Sequence, residues 1–206
     1  MAETASTPAT VPAPGEYLRA QIAPRFRDLV KGVEQRLAAA QRELDDLRAA
    51  TGTMAWEVTG ATPTTCYVNI ANGEMTVSEQ PVAEPFMTMA LSEADWARFT
   101  GGMAGFLAGD SRRPLGKSRI DRVRAINGTL RFVLTGLPDG SEWSCTMHFG
   151  AGPRSAEPRT TITIPADAAA KMQTGQLDPQ MAFMQGQVKL AGDAGFAMQL
   201  GMALFM

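Results

Sequence analysis

The chain has 206 residues, 45% of them hydrophobic and 19% charged, with 19 Lys and Arg against 21 Asp and Glu. That is enough apolar material for one or two cores and excludes a disordered or fibrous chain, and a net charge of −2 gives no positive field to hold nucleic acid. A single histidine, His148, and two cysteines, Cys66 and Cys145, exclude a Cys/His zinc cluster and a disulfide framework, so no metal or cofactor is expected.

Residues 1–15 are rich in Ala, Thr and Pro and lack the basic and apolar regions of a secretory signal, which predicts a disordered tail. From 16 to 50 the apolar residues Ile22, Phe26, Leu29, Val33, Leu37, Leu44 and Leu47 recur at helical spacing. They predict one long amphipathic helix that packs its stripe on a core, with Pro24 near its start and Gly52 at its end. Seven basic and six acidic residues share the rest of that helix, whereas a membrane-surface helix needs a cationic excess. A homodimer or a scaffold role is the alternative use of the stripe.

Beyond Gly52 the period changes to two. Met54, Trp56 and Val58 alternate, as do Cys66, Val68 and Ile70, and Asn72-Gly73 forms a hairpin turn before Met75 and Val77. A strand from Phe86 to Leu91 then leads through Ser92, an N-cap with Asp95 three residues on, into a helix carrying Trp96 and Phe99. The longest uncharged apolar run, Ala194 to Met206, has 13 residues. A bilayer needs roughly 20, so a cytoplasmic protein without stable membrane insertion is expected.

An internal repeat organises the chain. Gly52-Thr-Met-Ala-Trp-Glu-Val-Thr-Gly60 reads against Gly128-Thr-Leu-Arg-Phe-Val-Leu-Thr-Gly136 with four identities. Ala83-Glu84-Pro85 and the strand after it read against Ala156-Glu157-Pro158 and its strand, Arg98-Phe99 against Lys171-Met172, and Phe106-Leu107-Ala108-Gly109 against Phe183-Met184-Gln185-Gly186. The predicted organisation is a first copy at 51–110, a basic linker or short helix at 111–125, and a second copy at 126–206. The linker carries Arg112, Arg113, Lys117, Arg119, Arg122 and Arg124 against Asp121 alone. It reads as a solvated face, with transient contact to an anionic membrane surface as the sharper alternative.

In the second copy, Thr160-Thr-Ile-Thr-Ile-Pro165, the helical Ala166 to Gly175, the segment Leu177-Asp-Pro-Gln-Met-Ala-Phe-Met-Gln-Gly186, the strand Val188-Lys-Leu and the Gly192-Asp193 turn before an apolar last helix resemble the C-terminal half of the sterol carrier protein type-two domain. The first copy resembles the other half, with Thr65 to Gly73 as strand and hairpin. The resemblance implies an α+β fold, antiparallel or mixed sheet with helices on one face, and an apolar tunnel between the two layers. Here it takes the form of a tandem pair preceded by the long helix, with a degenerate first pocket. It also implies a hydrophobic ligand of the fatty acyl, sterol, polyprenoid or polyketide kind.

Met172, Leu177, Met181, Phe183, Met184, Val188, Phe196, Met198 and Leu200 are the expected lining of that cavity, with Gln185 as its polar handle. Each methionine taken alone reads better as core filling, and the Gln185 amide equally as a partner for groups around Gly186. Alternation in the strand Trp143 to Phe149 sends Trp143, Cys145, Met147 and Phe149 to the core and predicts a solvent-facing His148. Cys66 and Cys145 fall on inward phases, where a thiol behaves as a small hydrophobe. A non-catalytic carrier is therefore expected. The alternative is an enzyme that cyclises, isomerises or hydrates a lipophilic substrate with Gln185, Tyr67 or His148 as polar groups.

Overall fold

The computed structural model describes residues 13–103, 115–150 and 154–205. The first part of the predicted tail, the Phe106 to Gly109 match, and Arg112 and Arg113 lie outside them. The described residues divide into two compact units between Leu44 and Asp45.

The first unit is helical. Helix α1 comprises Pro14–Tyr17, a π-helical turn at Leu18–Ile22, and Ala23–Arg48. It begins earlier than Pro24 suggested, and Pro24 sits inside it. Because proline lacks an N–H and its ring crowds the carbonyl four residues back, the helix widens just before it, and Ala23 N–H donates to Leu18 O, five residues back. Of the predicted stripe, Phe26, Leu29 and Leu37 are each about two-thirds exposed.

The second unit is one mixed sheet with helices on one face. Its strands are β1 (Gly52–Thr59), β2 (Thr64–Ala71), β3 (Glu74–Ser78), β4 (Pro85–Ser92), β5 (Gly128–Thr135), β6 (Trp143–Phe149), β7 (Thr160–Pro165) and β8 (Lys189–Gly192). The helices are α2 (Glu93–Arg98, extended by a π-helical turn at Phe99–Met103), α3 (Lys117–Arg124), α4 (Ala166–Gln173), α5 (Pro179–Met184) and α6 (Ala194–Phe205). The eight strands lie in the order β3-β2-β1-β4-β6-β5-β7-β8, so residues from both predicted copies form a single sheet.

The same local plan occurs twice in it. β1 pairs antiparallel with β2 and parallel with β4, which leads into α2; β5 pairs antiparallel with β6 and parallel with β7, which leads into α4. Repeat-equivalent residues take equivalent registers, Trp56 opposite Met89 and Phe132 opposite Ile162. Antiparallel pairing of β4 with β6, Met87 opposite Phe149 and Met89 opposite Met147, joins the two halves.

Local chemistry sets the turns and helix starts. Asn72 and Gly73 both take positive φ, 55° and 77°, as the two-residue hairpin turn requires. Ser92 Oγ accepts from the Asp95 N–H at 3.0 Å and caps α2 as expected. The N-terminus of α3 is capped from a distance. Asp46, in the last turn of α1, accepts from Ser118 N–H and Oγ at 3.0 and 2.6 Å, which holds its carboxyl below the usual range.

Alternation divides the sheet into an apolar face under the helices and a polar face. The polar face is not simply open to water, and this overturns the solvent-facing His148. Asn69, Thr53, Thr88, Thr129 and His148 are all buried there. His148 Nδ1 lies 3.0 Å from Thr129 Oγ1. Its other register neighbour, Thr88, accepts a hydrogen bond from Arg154, which is also paired with Glu57. Farther along, Val82 N–H donates to Asn69 Oδ1 and Ala83 N–H to Thr53 Oγ1. The segments before β4 and β7 are thus tied across this face by hydrogen bonds, as buried polar groups require.

Gly192 closes β8 with φ 97°, and a Cβ there would lie 2.4 Å from the backbone oxygen of Arg159. Gly192→Ala is therefore expected to destabilise the protein by about 2 kcal/mol, seen in urea unfolding as a lower midpoint with an unchanged slope.

Candidate functional site

The helix-side face of the sheet is filled by two apolar clusters. Near the starts of β1, β4 and β5, Met54, Phe86, Leu130 and Phe149 pack with Ile120 and Val123 of α3 and with Phe196, Leu200 and Ala203 of α6. Toward the other ends of β4, β5 and β7, Met89, Leu91, Leu134, Trp143 and Ile164 pack with Ala168 and Ala169 of α4. The aromatic group Trp56, Trp96 and Phe99, with ring centroids 5.5–5.9 Å apart, extends this second cluster.

Three residues pack against both clusters: Met87 on β4, Met147 on β6 and Ile162 on β7. All three are only half-buried. β4 and β6 are the two central strands of the eight, so this exposure is not an edge effect. Phe132, opposite Ile162 in the ladder, and Leu190, opposite Ile162 on β8, are half-buried as well. Among the described residues they mark an apolar seam across the middle of the sheet that neither cluster buries fully. Two methionines in that line give it adjustable walls, since the unbranched thioether side chain adapts its shape at low cost.

The residues predicted from the sequence fall into three environments. Phe196 and Leu200 are buried in the first cluster. Asp193 accepts from the Phe196 N–H at 3.0 Å and pairs with Arg159 at 2.8 Å, which together hold its carboxyl below the ordinary range. The Arg159 guanidinium also lies 5.0 Å from the centre of the Phe196 ring. Met172, Leu177 and Val188 are half-buried against the second cluster.

Met181, Phe183, Met184, Gln185 and Met198 form the third group, and all are exposed. α5 is a six-residue helix capped by Asp178, whose Oδ1 accepts from Gln180 and Met181 N–H, and it buries only Ala182. Its larger side chains therefore turn outward. The Gln185 amide oxygen accepts from Gln187 Nε2 at 3.0 Å. In α6 the i, i+4 stripe of Phe196 and Leu200 is buried while Met198 and Met202 face away.

The structure thus brings Met172, Leu177 and Val188 to one cluster and Phe196 and Leu200 to the other. Sequence reasoning missed the floor between them, Met87, Phe132, Met147 and Ile162. Its signal was available in the period-two pattern of β4 to β7, where these residues share the inward phase.

Polar chemistry is sparse near the seam. Tyr67 and His148 lie on the opposite, polar face, on β2 and β6, which three strand spacings separate. That is about 14 Å at ~4.8 Å per spacing. Gln185 sits at the end of α5, so these three do not converge. Leu137, packed against the second cluster, also lines a shallow surface cleft with Arg98, Gly101, Pro138 and Asp139, spanned by an Arg98–Asp139 ion pair at 3.7 Å. Among the described residues no group of His, Cys, Asp and Glu could hold a metal, and no helix is long and apolar enough to cross a membrane.

Residues 112–205 match the SCP-2 sterol transfer family. Among curated proteins the chain is 35% identical over 85 residues to hydroxysteroid dehydrogenase-like protein 2 of Xenopus tropicalis, covering 39% of this chain and 20% of that protein. It is 29% identical over 125 residues to sterol carrier protein 2 of Rattus norvegicus, covering 57% and 23%. The chain therefore spans about a fifth of the length of these relatives. Among solved structures, sterol carrier protein 2 from Yarrowia lipolytica aligns with 52% of this chain and 90% of its own at 20% identity and a TM-score of 0.35.

The two thiols differ sharply in setting. Cys145 is buried in the second cluster, and desolvation pushes its pKa up to about 12, while Cys66 is half-buried. A chromogenic disulfide reagent at pH 8 should titrate one thiol in the native protein and two after denaturation. Cys66→Ser should abolish the native reaction, and rapid native labelling of Cys145 would contradict the packing described.

Proposed function

We propose that this protein binds and carries a hydrophobic small molecule of the fatty acyl, sterol, polyprenoid or polyketide kind, held over the seam floored by Met87, Phe132, Met147 and Ile162. The observation that carries this reading is half-burial of large apolar side chains in the centre of the sheet, between two closed clusters. A globular core of this size ordinarily buries its central strands completely, and an apolar guest supplies the missing cover. Each Å² of apolar surface so removed from water contributes roughly 25 cal/mol before ordering costs. The family match over 112–205 and the names of the sterol carrier relatives point the same way.

On this reading Met172, Leu177 and Val188 flank the guest from the second cluster, and Phe196 and Leu200 hold α6 as the wall of the first. Met181, Phe183, Met184 and Met198 form the outer apolar rim, with Gln185 available to a ligand hydroxyl or carboxyl at its edge. The twofold occurrence of the strand–hairpin–parallel-strand–helix plan supports a duplicated origin, with the first copy giving up a separate pocket to complete the shared floor. Met198 and Met202 on the uncharged face of α6, beside the cationic helix α3, suit transient contact with an anionic membrane surface during loading. A carrier rather than an enzyme is favoured by the separation of Tyr67, His148 and Gln185.

Binding to the delipidated protein is measured with a fluorescent long-chain fatty acid and competition by unlabelled fatty acids, sterols and polyprenols. Ile162→Trp, which fills the floor, should weaken binding at least about tenfold, a loss of about 1.4 kcal/mol, with little change in melting temperature. Unaltered affinity in Ile162→Trp, or failure of every ligand class to bind, would overturn the reading.

A further inference from the structure

Helix α1 presents an apolar stripe that is exposed among the described residues. Ile22, Phe26, Leu29, Val33, Leu37 and Leu44 are exposed by 42%, 66%, 65%, 49%, 70% and 39%. With Ala40 they succeed one another at intervals of four, three, four, four, three and four residues. This run of intervals reads the same in both directions about Val33. An antiparallel second copy of the helix, centred on Val33, therefore meets the stripe at every layer.

The layers are also complementary in size. Phe26 falls opposite Ala40 of the second copy, Leu29 opposite Leu37, Ile22 opposite Leu44, and Val33 opposite itself. A parallel pair in register would instead stack Phe26 on Phe26 and leave Ala40 facing Ala40. Charge selects the same orientation. Arg25 and Glu43 lie on the same flank of the stripe, one residue before Phe26 and Leu44. In the antiparallel register Arg25 of each copy faces Glu43 of the other, giving two symmetric ion pairs, while Arg36 faces Gly32, which has no side chain to crowd it.

Size and net charge fit this occupant too. The stripe from Ile22 to Leu44 is about 33 Å long at ~1.5 Å per residue. Covering it on both helices approaches the roughly 1,200 Å² that stable associations bury. Acidic and basic residues are interleaved along the helix, seven basic and six acidic from 16 to 50, so it has no single-sign face to address a membrane or a highly charged partner.

We infer that the N-terminal helix is a self-association element that pairs two copies of this chain antiparallel about Val33. The test is sedimentation equilibrium of the full chain, wild type and variants, with far-UV circular dichroism confirming that helix content is retained. Wild type should be a dimer that dissociates on dilution, and Leu37→Asp a monomer. Arg25→Glu and Glu43→Arg should each raise the dissociation constant about tenfold by turning two attractions into repulsions, and the double variant Arg25→Glu/Glu43→Arg should return to within about threefold of wild type. A wild type that stays monomeric at 100-fold dilution steps up to about 100 μM, a range whose upper end corresponds to weak association, overturns the inference. So does an unweakened Leu37→Asp dimer, or a double variant as weak as the singles combined, the result a parallel pair would give.

Discussion

An eight-stranded sheet offers a wide apolar face, and among the described residues its short helices leave the middle of it half-buried. α3 and α6 close one region through Ile120, Val123, Phe196 and Leu200, while α2 and α4 close the other around Trp143, Trp96 and Ala168. Met87, Met147 and Ile162 belong to both and are fully enclosed by neither. The rest of the account follows from this geometric shortfall. Two well-packed clusters supply stability, and the half-buried line between them is where the guest of the proposed function would lie without dismantling either.

Pairing of β4 with β6 makes this arrangement possible, because it aligns the two halves in one sheet and puts Met87 and Met147 on adjacent central strands, diagonal to one another and two residues apart in register. A lone half would expose those residues at an edge. The polar face contributes differently: Thr53, Asn69, Thr88, Thr129 and His148 are buried and hydrogen-bonded, so the loops crossing there are tied down by directional contacts rather than apolar packing. The proposed binding on one face and the hydrogen-bonded locking on the other thus fall on the two phases of the same strands.

Much of this was legible from the residues. Period-two alternation gave the strands, Asn72-Gly73 the hairpin, Ser92 the start of α2, and the repeat anticipated the equivalent registers of Trp56 and Phe132. Local patterns could not say which inward residues remain uncovered, because that depends on where helices from distant parts of the chain land. Met87 and Met147 look like any core methionine in the sequence. For the same reason the Met and Phe content after residue 171 read as one wall, whereas a six-residue helix anchored by Ala182 turns Met181, Phe183 and Met184 outward. Alternation placed His148 on the polar face correctly, but its burial there goes with the neighbours Thr88 and Thr129 on other strands and with Arg154 reaching across to Thr88, pairings that no local pattern specifies.

The central claim is that a ligand lies against the middle of the sheet. Methyl-¹³C methionine NMR of the delipidated chain, titrated with a long-chain fatty acid, addresses it residue by residue once the signals are assigned by single Met→Leu substitutions. The account predicts that Met87 and Met147 shift and saturate together while Met75, on the edge strand β3, stays still. Saturating binding that moves only the outward-facing Met184, Met198 and Met202 and leaves Met87 and Met147 unchanged would contradict it.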